Sequence, residues 1–244
     1  AALADLESGE IIASRKADEI IYPASMTKIM TLLVACERLN EAQMSDHVIL
    51  AQDVVAQMQA EGASGVGFSA GDELTVKDLL YAVALESDGI ASMMLARYVA
   101  GSEQAFVQMM NDKAVELGLI STSFRNPTGL HHDEHVTTCR EMAAIMAAAM
   151  NNETATRVLG RKEMYTVDVY SEGEKTDVSA DMWSAWYTGR LEEYRYANTA
   201  PYYAGKGSDV MIVGGKTGYE TIPTNCFVTA GVDDLTGRRY VCVQ

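Results

Sequence analysis

Two short groups of residues in this chain pair a hydroxyl with an amine, the combination needed for acyl transfer. In the first, Ser25 and Lys28 stand three residues apart, just after Pro23-Ala24 and at the start of an apolar run. On a helix, residues three apart lie side by side on one face. A lysine in apolar surroundings is rarely left charged and unpaired. Desolvation and the positive end of a helix both disfavour an ammonium, moving its pKa toward the range in which it can take a proton from a neighbouring hydroxyl. The same helix start offers the backbone N–H of Ser25 to a developing oxyanion, and one such donor is worth about 3 to 4 kcal/mol in a transition state. The spacing also suits a helix-capping serine with a lysine that reaches to solvent, and alone it does not decide between the two. In the second group, Lys216-Thr217-Gly218 follows a strand pattern at 210–213 through Gly214-Gly215. An exposed strand edge there would pair with an extended peptide while Lys216 and Thr217 bind its terminal carboxylate. The bland alternative is a glycine-rich turn carrying a surface lysine.

The elements that must position these groups can be read from periodicity. Met26, Ile29, Met30 and Leu33 recur at helical spacing, and Leu32, Val34 and Cys36 fill the other sides. A helix over 26–39 that is apolar nearly all round is expected to run through the centre of the molecule. Helical patterns continue at 76–83, 90–98, 103–117 and 140–150, whereas strand patterns occupy 1–7, 10–14, 165–170, 210–213, 226–232 and 239–243. The expected architecture is an α/β (α+β) fold in which an antiparallel sheet is split between the two chain ends and flanked by helices. Residues 1–44 and 152–244 then form a sheet-containing lobe, and 45–151 an inserted helical lobe, with a cleft between. The stretch 172–203, with Trp183 and Trp186, shows no clear period and reads equally as a loop over the cleft or as irregular packing. Both ends stop within strand patterns, as in a domain trimmed from a longer chain.

Composition narrows the function classes. The 244 residues carry a formal charge of -15, which argues against nucleic acid as a partner because phosphate contacts need clustered Lys and Arg. No run approaches the roughly 18 apolar residues of a membrane span, so membrane association is expected only through segments outside this sequence. Cys36, Cys139, Cys226 and Cys242 are too scattered for a disulfide framework or a CxxC metal site and read as core thiols. His131, His132, Asp133, Glu134 and His135, with Cys139 four residues on, read as a polar loop, because adjacent side chains point apart and zinc ligands are usually widely separated.

Together, the serine-lysine pair and the later Lys-Thr-Gly group match motifs shared by penicillin-binding proteins and class A β-lactamases. The chain resembles most the low-molecular-mass D-alanyl-D-alanine carboxypeptidases, over nearly its whole length. Residues 23–31, Pro-Ala-Ser-Met-Thr-Lys-Ile-Met-Thr, are similar to that family's nucleophile segment, and 71–80 to the run entering its second motif. Asn126-Pro127-Thr128-Gly129-Leu130, with His135, Thr137 and Thr138, resembles a further signature, and 215–219 the third motif. The resemblance implies a β-lactamase/penicillin-binding-protein-like fold with Ser25 as nucleophile, Lys28 as base and Ser87 as proton relay. It implies Lys216, Thr217, Gly218, Tyr219 and Gly89 in substrate binding, with the N–H of Tyr219 as second oxyanion donor. It implies no metal or organic cofactor. The implied partners are peptidoglycan stem peptides ending in D-Ala-D-Ala and β-lactam antibiotics, and the implied location is extracytoplasmic, secreted or associated with the cell envelope. One departure stands out. Where the family has Ser-x-Asn, this chain has Ser87-Asp88-Gly89. If the loop shifts by one residue, the Asp88 carboxylate takes the place of the carboxamide and keeps Lys28 charged, against its use as a base. Alternatives on the same scaffold are a catalytically impaired wall-peptide-binding protein and a related β-lactamase or endopeptidase. Glu37 to Asn40 superficially suits the deacylating segment of the β-lactamases, but it is one residue short and reads as a helix end.

Overall fold

The computed structural model describes residues 1–182, 210–219 and 225–244. The stretch 183–209, with Trp183 and Trp186, lies outside them. At the centre is helix α1, Thr27–Arg38, preceded by a 3-10 turn at Ala24–Met26. Every residue from Thr27 to Cys36 is buried, as expected of a helix apolar on all sides, and each fully buried Leu, Ile or Met there contributes about 1.5 to 3 kcal/mol. Pro23 stands at the N-cap of the 3-10 turn, its φ already set for a helical start. Leu39 ends α1 in extended backbone, with Arg38 in the last turn facing the negative end of the helix dipole.

Strands from the two chain ends do form one antiparallel sheet. Its order is β2-β1-β11-β10-β9, from β1 (Ala2–Asp5), β2 (Ile11–Ser14), β9 (Val210–Tyr219), β10 (Asn225–Asp233) and β11 (Arg239–Val243). Alternation sets its inner face: Ala2, Ala4, Val228, Ala230, Val241 and Val243 are buried. Helix α6 (Cys139–Met150) packs on β1, β10 and β11, and on its other side packs against α1. Around α1 also stand α3 (Val76–Leu85), α4 (Gly89–Ala100), α5 (Glu103–Glu116) and α7 (Glu153–Leu159).

Two features differ from readings that the sequence leaves open. Strand β9 runs straight through Gly214-Gly215, which excludes the alternative of a glycine-rich turn there. Both glycines are paired with β10, and a Cβ at Gly214 would stand 3.2 Å from Met150 Sδ on α6. Gly214 serves close packing of sheet on helix. The irregularity that a turn would have brought is a bulge near Val213, opposite Ala230/Gly231. The second difference concerns 165–182. These residues form a hairpin, β7 (Tyr165–Ser171) and β8 (Glu174–Met182), that joins β4 (His47–Ile49) and β5 (Glu73–Thr75) in a separate four-stranded sheet, β4-β5-β7-β8. This sheet therefore unites strands from either side of residue 152. Strand β8 left no periodic signal because all but its last residue are exposed or half-buried.

Candidate active site

The site is assembled around a strained turn. Ala24, just before Ser25, has φ +47°, a left-handed conformation that costs an L-residue on the order of 1 to 3 kcal/mol and persists only where its surroundings impose it. Two glycines impose it. Gly129, at φ +80°, lies so close that a Cβ would stand 2.0 Å from the Ala24 carbonyl oxygen and 3.0 Å from the Ser25 nitrogen. From β9, a Cβ at Gly218 would stand 3.1 Å from Pro23 O and 3.4 Å from Ala24 Cβ. The segment that carries Ser25 is thus held between the 126–130 loop and the sheet.

That loop is fixed by Asn126. Its Oδ1 accepts from the Gly129 N–H at 2.7 Å and from the Thr128 hydroxyl at 3.0 Å, and its Nδ2 donates to Leu130 O at 2.8 Å. The Thr31 hydroxyl, from α1, donates to Pro127 O at 2.7 Å. Lower down, His135 ties the same region to α1. The Arg125 N–H donates to His135 Nδ1 at 3.3 Å, which leaves Nε2–H to donate to Thr27 Oγ1 at 2.8 Å. Burial holds His135 neutral, with its pKa pushed down to about 3.

Lys28 is 3% exposed. Its Nζ donates to the Thr128 carbonyl at 2.5 Å and to Ser25 Oγ at 3.3 Å. Burial pushes its pKa down to about 8, and the charge of Asp88 opposes that shift. The expected geometry of a hydroxyl beside a weakly basic amine is therefore present, with the hydroxyl half-buried and the amine enclosed. The solvent-reaching alternative for Lys28 does not hold.

Lys216 is enclosed too, at 1% exposure, with its Nζ on the Thr217 carbonyl at 3.0 Å. Burial, and then the charge of Lys28, hold it well below the usual lysine range, while Glu86 acts in the opposite direction. Two buried amines, one lowering the basicity of the other, are an environment ready for an anion. Lys216 and Gly218 share one face of β9, and half-buried Thr217 alternates to the other. The Tyr219 backbone closes the described part of β9 opposite Asn225.

Ser87 carries two costs at once. Its φ is +58°, and its hydroxyl is buried with no hydrogen-bond partner among the described residues. An unmet buried hydroxyl costs about 1 to 3 kcal/mol. Residues that hold such costs cluster at working sites. Gly89, expected to line the substrate site, offers no donor to it. Its N–H donates to Ser64 O at 2.9 Å, and a Cβ would stand 2.7 Å from Ala63 Cβ. Asp88 is fully buried at the N-cap of α4, with Oδ1 accepting from the Ala91 N–H and Oδ2 from the Val66 N–H, both at 2.8 Å. Sequence reasoning did not find the Thr128 carbonyl or the Asn126 clamp, since backbone acceptors leave no residue-type signal. In the loop read as polar, His131 stacks edge-on against Tyr22 at 4.8 Å, while His135 is buried; no group of three His, Cys, Asp or Glu among the described residues could hold a metal ion.

Comparison with known proteins now bears on this geometry. The profile of the D-alanyl-D-alanine carboxypeptidase family, peptidase family S11, matches residues 1–243. The chain belongs to that family. It is 37% identical over 167 residues to the D-alanyl-D-alanine carboxypeptidase DacF of Bacillus subtilis, a match covering 68% of this chain and 42% of that relative. The S11 chain thus spans about two fifths of the length of that relative. Among solved structures, a D-alanyl-D-alanine carboxypeptidase from Mycobacterium tuberculosis H37Rv superposes with TM-score 0.77 at 27% identity, covering all of this chain and 80% of the other. The Streptomyces K15 DD-transpeptidase gives TM-score 0.82 at 24% identity, covering 99% of this chain and 87% of the other, and shares the fold. The expected penicillin-binding-protein-like fold, an antiparallel sheet with flanking helices, is thereby established.

Proposed function

We propose that this S11 chain is a serine-type D-Ala-D-Ala carboxypeptidase acting on peptidoglycan stem peptides outside the cytoplasm. One observation carries the reading: a fully enclosed amine, Lys28, stands 3.3 Å from the hydroxyl of half-buried Ser25, with its basicity lowered to about 8. Neutral Lys28 takes the Ser25 proton as Oγ attacks the carbonyl of the penultimate D-alanine. The N–H groups of Ser25 and Tyr219 receive the oxyanion, and Lys216 with Thr217 holds the terminal carboxylate. Ser87, whose buried hydroxyl has no partner among the described residues, passes its proton to the amine of the departing D-alanine as the C–N bond breaks and takes up the proton held by Lys28, which leaves Lys28 neutral again. Water then attacks the acyl-enzyme, giving up a proton to Lys28, which returns it to Ser25 Oγ as the ester bond breaks and the shortened peptide leaves. β-Lactams enter by the same attack on their strained amide and leave slowly.

The test is release of free D-alanine from a stem peptide ending in D-Ala-D-Ala. The reading requires release by the unaltered protein and its loss in Ser25→Ala. A second reading, binding of wall peptides without turnover, is favoured by Gly89, whose position supplies no carboxamide and whose N–H is engaged by Ser64. Its mark is saturable peptide binding with no D-alanine released.

A further inference from the structure

The Ser87-Asp88-Gly89 loop lacks a carboxamide, yet it is held more tightly than a surface loop would be. Gly89 donates to Ser64 O, and the space a side chain at 89 would take is filled by Ala63 and by Met58 Sδ, which would stand 3.3 Å from its Cβ. Asp88 completes the attachment from the opposite direction. One carboxylate oxygen caps α4 through the Ala91 N–H, and the other takes the Val66 N–H across 22 residues of chain. The carboxylate fits against Gly65 so closely that a Cβ there would stand 2.5 Å from Oδ2. Asp88 is 0% exposed, and α4, whose N-terminus it caps, packs on α1, which carries Lys28. A buried carboxylate is retained only where donors or an opposite charge satisfy it. Here it has both.

We propose that Asp88 is a positioning residue of the acyl-transfer site. Its buried carboxylate locks the Ser87 loop onto residues 63–66 and supplies the negative charge that acts on the Lys28 amine. The asparagine's place is closed by the side chains of Ala63 and Met58, and the ordering of Ser87 passes to the residue beside it. The charged and titratable groups around the pair are Lys216 from β9 and His135 from the loop after Asn126, with Glu86 at the end of α3 acting on Lys216. Burial holds His135 neutral, and burial with the charge of Lys28 holds Lys216 well below the usual lysine range, so among these groups Asp88 is the one that favours the Lys28 ammonium. The positioning role rests on the reading of Lys28 as base, but the charge it supplies can be measured without activity.

The experiment follows the Lys28 Nζ resonance of lysine-15N-labelled protein against pH, assigned by its loss in Lys28→Arg, in the unaltered chain, in Asp88→Asn and in Asp88→Ser. Asparagine and serine both keep an N-cap acceptor for Ala91 without the charge. The inflection moves to lower pH by about one unit in both variants, the ordinary effect of losing a nearby opposite charge. Hydrogen exchange at the Val66 amide becomes at least about tenfold faster in Asp88→Ser, one bond to a charged acceptor being lost. An unmoved inflection, or unchanged Val66 exchange, overturns the proposal. Should neither variant fold, the Asp88 side-chain carboxyl 13C resonance of the unaltered protein must show a step at the Lys28 inflection that disappears in Lys28→Arg, and absence of that step overturns it equally. D-Alanine release by the unaltered chain is measured in parallel. No release with a moved inflection counts against the carboxypeptidase reading and leaves the Asp88 charge established.

Discussion

At the scale of the residue, the decisive feature is an amine whose burial removes much of its basicity. Lys28 has a pKa of about 8 against an ordinary 10.5. On the proposed mechanism the neutral form is the base, so acylation is expected to rise by about tenfold per pH unit below 8 and level off above it. The measurement is the acylation rate constant with a β-lactam between pH 5.5 and 9.5. A rate already flat at pH 6 contradicts the assignment. The same depression has a stability consequence of fixed sign. Folded Lys28 binds its proton less tightly than the unfolded chain does, so the folded state is penalised below pH 8, and the penalty is relieved as pH rises from 8 toward 10.5. Lys28→Met is therefore expected to be inactive yet more stable at pH 7, by about 1 to 3 kcal/mol. Urea unfolding at pH 7 and pH 10 checks both magnitude and sign, because the advantage should shrink at the higher pH. Lys216 makes a complementary expectation. Its basicity is held low in the free site, so a bound carboxylate raises it and binding takes up a proton. Calorimetry of a D-Ala-D-Ala peptide binding to Ser25→Ala, in buffers of different ionisation enthalpy, reads that proton directly.

At the scale of the element, the site depends on two close approaches that only glycine permits. Gly129→Ala combines a positive φ with a 2.0 Å collision at the Ala24 carbonyl. It is expected to cost at least about 2 kcal/mol and to slow acylation by more than the lost stability explains. Gly218→Ala meets Pro23 O at a milder 3.1 Å and should slow acylation with less effect on unfolding. Paired denaturation and acylation measurements separate the two, and equal, small effects on both variants contradict the clamp. How much of this was legible varies by element. Helix α1 announced itself because residues buried on every side leave an apolar run. Strand β8 did not, since a hairpin exposed along most of its length has no face to mark. The glycines of β9 left a turn open as an alternative, because sequence alone does not distinguish a glycine that bends the chain from one that lets a helix approach. Ser25 and Lys28 were legible as side-chain chemistry, whereas the Thr128 carbonyl and the Val66 N–H that complete their surroundings belong to the backbone and carry no residue signature.

At the scale of the whole molecule, the site draws Ser25 and Lys28 from near one chain end, Lys216 from near the other, and Ser87 and Thr128 from between. This dispersal explains why no single motif was decisive, and why the ordered set over the whole chain was. It also makes the fold sensitive to occupancy. A peptide that binds the native site alone, at 100 times its dissociation constant, stabilises by about 2.7 kcal/mol, which for a chain of this size raises Tm by roughly 5 to 10 °C. A thermal scan of Ser25→Ala with a D-Ala-D-Ala peptide tests that, and the peptide ending in L-alanine is the control that should leave Tm unmoved.

The central claim is that Ser25 is a nucleophile made reactive by Lys28. Its most direct test is intact-protein mass spectrometry after exposure to a penicillin, with peptide mapping of the adduct. The account predicts one added drug mass, on the peptide containing Ser25, forming faster at pH 8 than at pH 6 and absent in both Ser25→Ala and Lys28→Ala. An adduct on another residue, or none with any β-lactam at either pH, contradicts it.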